Sequence, residues 1–217
     1  MKSLIVQATE VDARSKTTDD IMECRTRKAS VSKIMKIPAS GKRKALIIVD
    51  VQEAFLTSES AHVIDSVAAI VKNVSYDLYV DATFDMMNNS LWREQEDWAM
   101  PPGSDTTTAD KIVAALDGKL RLSVRKNTRS AFKGKPSLKE ELAKHGIQEV
   151  HIVGLATHDC VIATAFDAFD NGFLTYVLEE GSEANGKDER DSALYVLRSH
   201  NMTNNSSLSA TEEIEIR

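Results

Sequence analysis

Short, unbroken apolar runs alternate along this chain with stretches whose apolar residues recur every three or four positions. Residues 45–49 (Ala-Leu-Ile-Ile-Val) are apolar throughout and end on Asp50, the pattern of a central parallel strand covered on both faces. Residues 61–74 carry apolar positions at helical spacing, and residues 77–83 read as a second strand. Residues 85–107 are polar and broken by Pro101, Pro102 and Gly103, which predicts irregular structure. A short helix is then predicted over 108–116 and a third strand over 120–124. A helix capped by Ser137 runs to Lys144 and stops at Gly146, with Glu140 at the spacing of a capping box. Residues 149–153 form a further buried strand, 161–169 a helix with an apolar face, 173–178 a strand and 188–198 a helix. Residues 206–209 are the last expected strand. Strands alternating with helices imply right-handed βαβ units. The expected fold class is α/β: three layers, α/β/α, around a mostly parallel, Rossmann-like sheet.

Charge divides the chain. Residues 1–44 carry a net +6 within a total of −6, so residues 45–217 carry −12. Between Arg25 and Lys44 there are eight basic residues and no acidic one. The expected organisation is therefore a basic N-terminal extension, 1–44, ahead of a single domain, 45–217. A basic run can bind anionic polymers or surfaces. No aromatic residue is interleaved, which disfavours a single-strand-binding platform and favours a solvated arm or an added edge element. A nucleic-acid partner is not expected. Acidic residues from Glu10 to Glu23 precede the basic run, which fits a transit peptide poorly. The two cysteines, Cys24 and Cys160, support neither a disulfide framework nor a zinc pattern, and point to a reducing compartment. No apolar run approaches a membrane span, and the first residues hold too short an apolar stretch for a secretory signal. A cytoplasmic location with no membrane partner is the expectation, with leaderless export left open.

Three strand ends carry reactive groups. Cys160 lies between the strand at 149–153 and the helix at 161–169, at the sheet edge where open α/β folds bind ligands. Unpaired N–H groups and the helix dipole there are expected to lower a thiol's pKa and to hold an oxyanion. Asp50 ends the first buried strand, so its carboxylate should emerge at the same edge. Lys126 follows the third strand by two residues. Each residue alone reads equally well as a buried small hydrophobe, a turn residue or a solvated lysine. Together a thiol, a carboxylate and an ammonium form a nucleophile, a base and an electrostatic partner suited to attack on a carbonyl carbon.

These segments resemble a known family. The stretch from Ala45 through Asp50, Gln52 and Phe55, the motif Lys126-x-x-x-Ser130-Ala131-Phe132, and Gly154-Leu-Ala-Thr-His-Asp-Cys160-Val161 with Thr164, Ala165, Asp167 and Ala168 after it resemble the isochorismatase-like cysteine hydrolases, in the family's order over roughly residues 44–210. The resemblance implies Asp50 as general base or acid, Lys126 as its charged partner and Cys160 as nucleophile. It also implies a cis peptide between Leu155 and Ala156, with the Ala156 and Cys160 N–H groups aimed at an oxyanion. Gln52, Phe55, Trp92, Trp98 and His158 are the expected pocket residues. The tryptophans serve equally well as loop-packing anchors, and His158 as a satisfied loop histidine. A small-molecule substrate, a homo-oligomer and no cofactor are further expectations of the resemblance.

The departures bear on the substrate. Nicotinamidases of this family hold a divalent metal with an Asp-x-His pair and a further His after the second strand. Here Asp85 is present, but no His occurs between His62 and His145. One carboxylate does not make the usual three-ligand site, so no metal is expected and Asp85 reads as a turn or capping residue. His158 stands where isochorismatases carry His. The leading expectation is therefore isochorismatase chemistry, cleaving isochorismate to pyruvate and 2,3-dihydro-2,3-dihydroxybenzoate with Asp50 as acid. The intact trio supports an alternative, a metal-independent C–N amidohydrolase working through a Cys160 thioester, nicotinamidase-like or acting on another small amide. A non-catalytic binding or regulatory relative that uses the basic arm is a third.

Overall fold

The computed structural model describes residues 33–86, 91–101, 103–206 and 211–216, all within one unit, Ser32–Arg217. Cys24, the first part of the basic stretch and positions 207–209 of the last expected strand lie outside the described residues. Five strands, β2 (Lys44–Val49), β3 (Leu78–Phe84), β4 (Arg121–Lys126), β5 (Glu149–Gly154) and β6 (Leu174–Ser182), form one parallel sheet in the order β4-β3-β2-β5-β6.

The central strand shows why both faces are covered. Ala45, Ile47 and Val49 of β2 enter one core cluster, and Leu46 and Ile48 the other. Against the second face pack α1 (Val63–Asn73), through Val67, Ile70 and Val71, and α3 (Asp110–Ala115), through Ile112. Against the first pack α4 (Leu138–Lys144), α5 (Ile162–Asp170) and α6 (Lys187–Ser199), through residues such as Leu142, Ala165 and Leu197. A strand with period-two side chains buries each set against a different helical layer, so every residue must be apolar. Among the described residues no helix is long and apolar enough to cross a membrane.

Several elements depart from expectation. Residues 33–38, inside the basic stretch, form a strand, β1 (Lys33–Pro38), that pairs antiparallel with β7 (Thr211–Ile216) as a separate ribbon. Lys33 and Lys36 hide the apolar period there, yet Met35 and Ile37 are buried in the cluster that holds α1. Strand β6 continues past Leu178 to Ser182, because Glu179 stays in the sheet with its carboxylate on Arg198. One helical turn, α2 (Leu91–Glu94), interrupts the stretch expected to be irregular. Ser137 occupies the cap position of α4, but its side chain makes no capping hydrogen bond. The capping box is not formed. That helix is fixed instead by Leu138 and Leu142, both fully buried.

Candidate active site

Strands β2 and β5 are neighbours, but the chain leaves them in opposite directions, toward β3 and toward β6. Such a switch point opens a crevice at the carboxyl ends of the strands. Asp50 follows β2, Lys126 is the last residue of β4, and Cys160 lies on a π-helical turn, Thr157–Val161, between β5 and α5. The structure brings the first two into direct contact. Lys126 reaches past the end of β3 and donates from Nζ to Asp50 Oδ2 at 2.5 Å, with its side chain fully buried. Nζ also donates to the Thr128 carbonyl at 3.0 Å and lies 5.3 Å from the Phe84 ring centroid.

Asp50 has φ 52°, in the left-handed region that non-glycine residues enter only where the surroundings hold them. Its N–H is tied to the Ala82 carbonyl at 2.9 Å. Oδ1 is buried without a hydrogen-bond partner among the described residues, and the Asp50 carboxyl lies close enough to the Cys160 thiol for each to shift the other. Burial raises the Asp50 carboxyl above its ordinary value, outweighing the lowering by Lys126. The Cys160 thiol is also pushed well up, by burial first and then by the charges of Asp50 and Asp159, with Lys126 opposing. This runs against the expectation that the helix start would lower the thiol: desolvation and two carboxylates outweigh the ammonium. A neutral thiol beside a carboxylate with a free lone pair is the arrangement for proton transfer on demand.

The backbone before Cys160 is tightly held. Gly154 has φ 126°, and a Cβ there would sit 2.0 Å from the Val49 carbonyl oxygen, so only glycine lets β5 approach β2 this closely. The Leu155–Ala156 peptide is cis. Leu155 N–H donates to Val49 O and Thr157 N–H to Glu183 O, both at 2.9 Å, which pins the segment to β2 on one side and to the end of β6 on the other. Thr164 Oγ1 donates to the Cys160 carbonyl at 2.7 Å and accepts the Ala131 N–H at 3.1 Å, joining the cysteine turn to the loop after Lys126.

Above these groups lies a cleft of about 660 Å³. Phe55, Trp92, Trp98 and His158 line it. Phe55 and Trp98 stack at 6.0 Å, and Phe84, edge-on to Trp92 at 5.4 Å, completes an aromatic wall. Gln52 is not part of the lining. It is fully buried, accepts the Phe84 N–H at 2.7 Å and donates to the carbonyls of Phe84 (3.0 Å) and Thr106 (2.7 Å). A buried amide must satisfy its polar atoms, and here it does so by clamping the end of β3, which aims Phe84 into the cleft. His158 is exposed, with Nδ1 3.9 Å from Glu189. Sequence reasoning missed Phe84, Glu96, Arg129, Asp159 and Asn185, which also line the cleft. The motif places Asp159 beside Cys160. Nothing in the chain shows that Glu96 and Arg129 fold over it.

The residues do not fit the metal site that the resemblance associates with nicotinamidases. Asp85, expected as a turn or capping residue, is exposed and pairs with Arg125 at 3.6 Å. Among the described residues no group of three His, Cys, Asp or Glu is placed to hold an ion.

Comparison with known proteins agrees with the geometry. The family model described as Isochorismatase domain matches residues 44–208. Nicotinamidase 3 of Arabidopsis thaliana is 39% identical over 75 residues, 33% of this chain and 37% of that protein, so the match spans little more than a third of the relative. Among solved structures, PnC1 from L. infantum in complex with nicotinate superposes with a TM-score of 0.64 at 22% identity, covering 77% of this chain and 94% of that one. An isochorismatase-like hydrolase from Alkaliphilus metalliredigens gives 0.63 at 18%, covering 74% and 92%. The pyrazinamidase of Pyrococcus horikoshii in complex with zinc gives 0.57 at 22%, covering 74% and 97%. A parallel five-stranded sheet with its crevice at the β2–β5 switch point and a family match over three quarters of the sequence lead to one assignment: this chain belongs to the isochorismatase family.

Proposed function

We propose that this chain is a hydrolase that cleaves the C–N bond of a small, neutral aromatic amide through a Cys160 thioester, with nicotinamide as the reference substrate. The observation that carries the reading is the buried Lys126–Asp50 pair, its free Oδ1 at the foot of an aromatic cleft that also holds Cys160. The charge of the cleft favours an amide over isochorismate, the leading expectation from sequence. Among the described lining residues Asp50, Glu96 and Asp159 are acidic, and the one arginine, Arg129, is already paired with two of them. A doubly anionic substrate would meet like charges there, whereas a flat neutral ring meets Phe55, Trp92 and Trp98. The similarity to Nicotinamidase 3 supports the same choice.

In this mechanism Asp50 takes the thiol proton and Sγ attacks the amide carbon. The oxyanion accepts hydrogen bonds from the Ala156 and Cys160 N–H groups. Collapse breaks the C–N bond, and ammonia leaves with the proton held by Asp50. Water then gives a proton to Asp50 and adds to the thioester. The C–S bond breaks, releasing the carboxylic acid, and the thiol recovers its proton. Lys126 keeps Asp50 oriented and favours its ionised form. No step requires a metal.

The test is ammonia release from nicotinamide in EDTA, by wild type and Cys160→Ala, beside pyruvate release from isochorismate. The expected result is ammonia from wild type and a loss of about a thousandfold or more in Cys160→Ala. Pyruvate without ammonia, from both proteins, would overturn the amidase reading in favour of ether cleavage by Asp50.

A further inference from the structure

Arg129 sits in the loop that follows Lys126 and touches three features of the cleft at once. Its Nε donates to Asp159 Oδ1, its Nη2 donates to Glu96 Oε1 at 2.8 Å, and its guanidinium carbon lies 4.3 Å from the Trp92 ring centroid. Asp159 is the residue before the thiol, and its other oxygen, Oδ2, accepts a long hydrogen bond from Cys160 Sγ at 3.9 Å. One guanidinium thus bridges the carboxylate beside the nucleophile and the segment that carries Trp92, Glu96 and Trp98.

We propose that Arg129 is a positioning residue for Cys160: it compensates and holds the Asp159 carboxylate beside the thiol, and its stack on Trp92 and bond to Glu96 tie that state to the aromatic wall. The inference rests on Cys160 being the nucleophile. Two carboxylates stand near Sγ, but only Asp50 has an ammonium on it. Asp159 without a guanidinium would place an uncompensated negative charge next to the sulfur and disfavour the thiolate. The thiol already donates a long hydrogen bond to Asp159 Oδ2, so an uncompensated Asp159 would draw its proton more strongly, away from Asp50. A planar guanidinium suits the task, because it can engage two carboxylates and an indole face together.

The other charged groups around the thiol have partners of their own. Lys126 from β4 is held by Asp50. His158, on the same turn, faces Glu189 of α6 at 3.9 Å. Glu183, just past β6, is taken by His62 at 3.1 Å and Arg190 at 3.2 Å. Arg129 is therefore the cation assigned to Asp159.

The experiment follows alkylation of Cys160 by iodoacetamide against pH, read by mass spectrometry of the Cys160 peptide, so that Cys24 does not interfere. Wild type, Arg129→Lys, Arg129→Met, Asp159→Asn and the Arg129→Met/Asp159→Asn double variant are compared. Arg129→Met is expected to move the labelling midpoint to higher pH and slow labelling at fixed pH by about tenfold, because the thiolate fraction sets the rate. Asp159→Asn added to Arg129→Met is expected to restore the wild-type profile, and Arg129→Lys to restore most of it. An unchanged profile in Arg129→Met would overturn the proposal. So would a shifted profile that Asp159→Asn fails to correct, since a merely structural role for Arg129 would not be cured by removing a charge. Labelling needs no turnover, so a protein that releases no ammonia still answers this question, and failure of the amidase reading stays separate from failure of this one.

Discussion

Asp50 is asked to be both buried and basic, and Lys126 is what reconciles the two. Desolvation raises the carboxyl; the ammonium 2.5 Å away draws it back without restoring the ordinary value. As the base, Asp50 works only when deprotonated. Activity should therefore rise with pH through a value above the usual carboxylate range of about 4. Lys126→Met removes the group that lowers this pKa, so the acid limb of the kcat/KM profile for nicotinamide is expected to move to still higher pH. A limb that stays in place would show that another group titrates. These residues were legible in the chain because Asp50 closes an apolar run and Lys126 lies just after an expected strand, and a group at a strand's end emerges at the sheet edge whatever the surroundings. Gln52 was legible as part of a motif but not in its role. A glutamine beside a site reads as a pocket donor until the fold shows its amide spent on the backbone of Phe84 and Thr106.

At the scale of elements, the site depends on how closely β2 and β5 approach. Gly154→Ala places a methyl group 2.0 Å from the Val49 carbonyl oxygen in a left-handed backbone, so one strand must move. The expected cost is about 3 kcal/mol or more, seen as a large fall in the denaturation midpoint, with soluble yield as a second readout. A variant as stable as wild type would mean that the two strands can separate there without penalty. Strand β2 was plain in the sequence as an unbroken apolar run, and β5 as a short one despite Glu149 and His151, which are buried against each other. The continuation of β6 was not. Glu179, Glu180 and Gly181 end the apolar run, and distant side chains help keep the backbone in the sheet: Arg198 holds the Glu179 carboxylate, Arg190 donates to the carbonyls of Glu179 and Ser182, and Asn204 Oδ1 accepts the Glu179 N–H.

Across the whole molecule, that docking of α6 on β6 links stability to pH. Burial alone would raise the Glu179 carboxyl, but the bonds and charge of Arg198 bring it below its ordinary value. A carboxylate lowered on folding contributes stability that is present above its unfolded value and is lost as pH falls through the lowered one. Glu179→Gln is expected to cost about 1–2 kcal/mol in urea denaturation at pH 7, and the gap between the two proteins should close on acidification. An equal gap at both ends of the range would place the contribution in packing rather than charge. The chain by itself determined the layered α/β plan and the three strand-end groups, because burial on one or two faces writes a period into neighbouring residues. Only the tertiary structure decided the pairing of β1 with β7, the Glu96–Arg129–Asp159 bridge and the true place of Gln52. Those partners lie roughly thirty to a hundred and eighty residues apart, and a lone charge or amide in a loop has the same local pattern whether it faces water or another side chain.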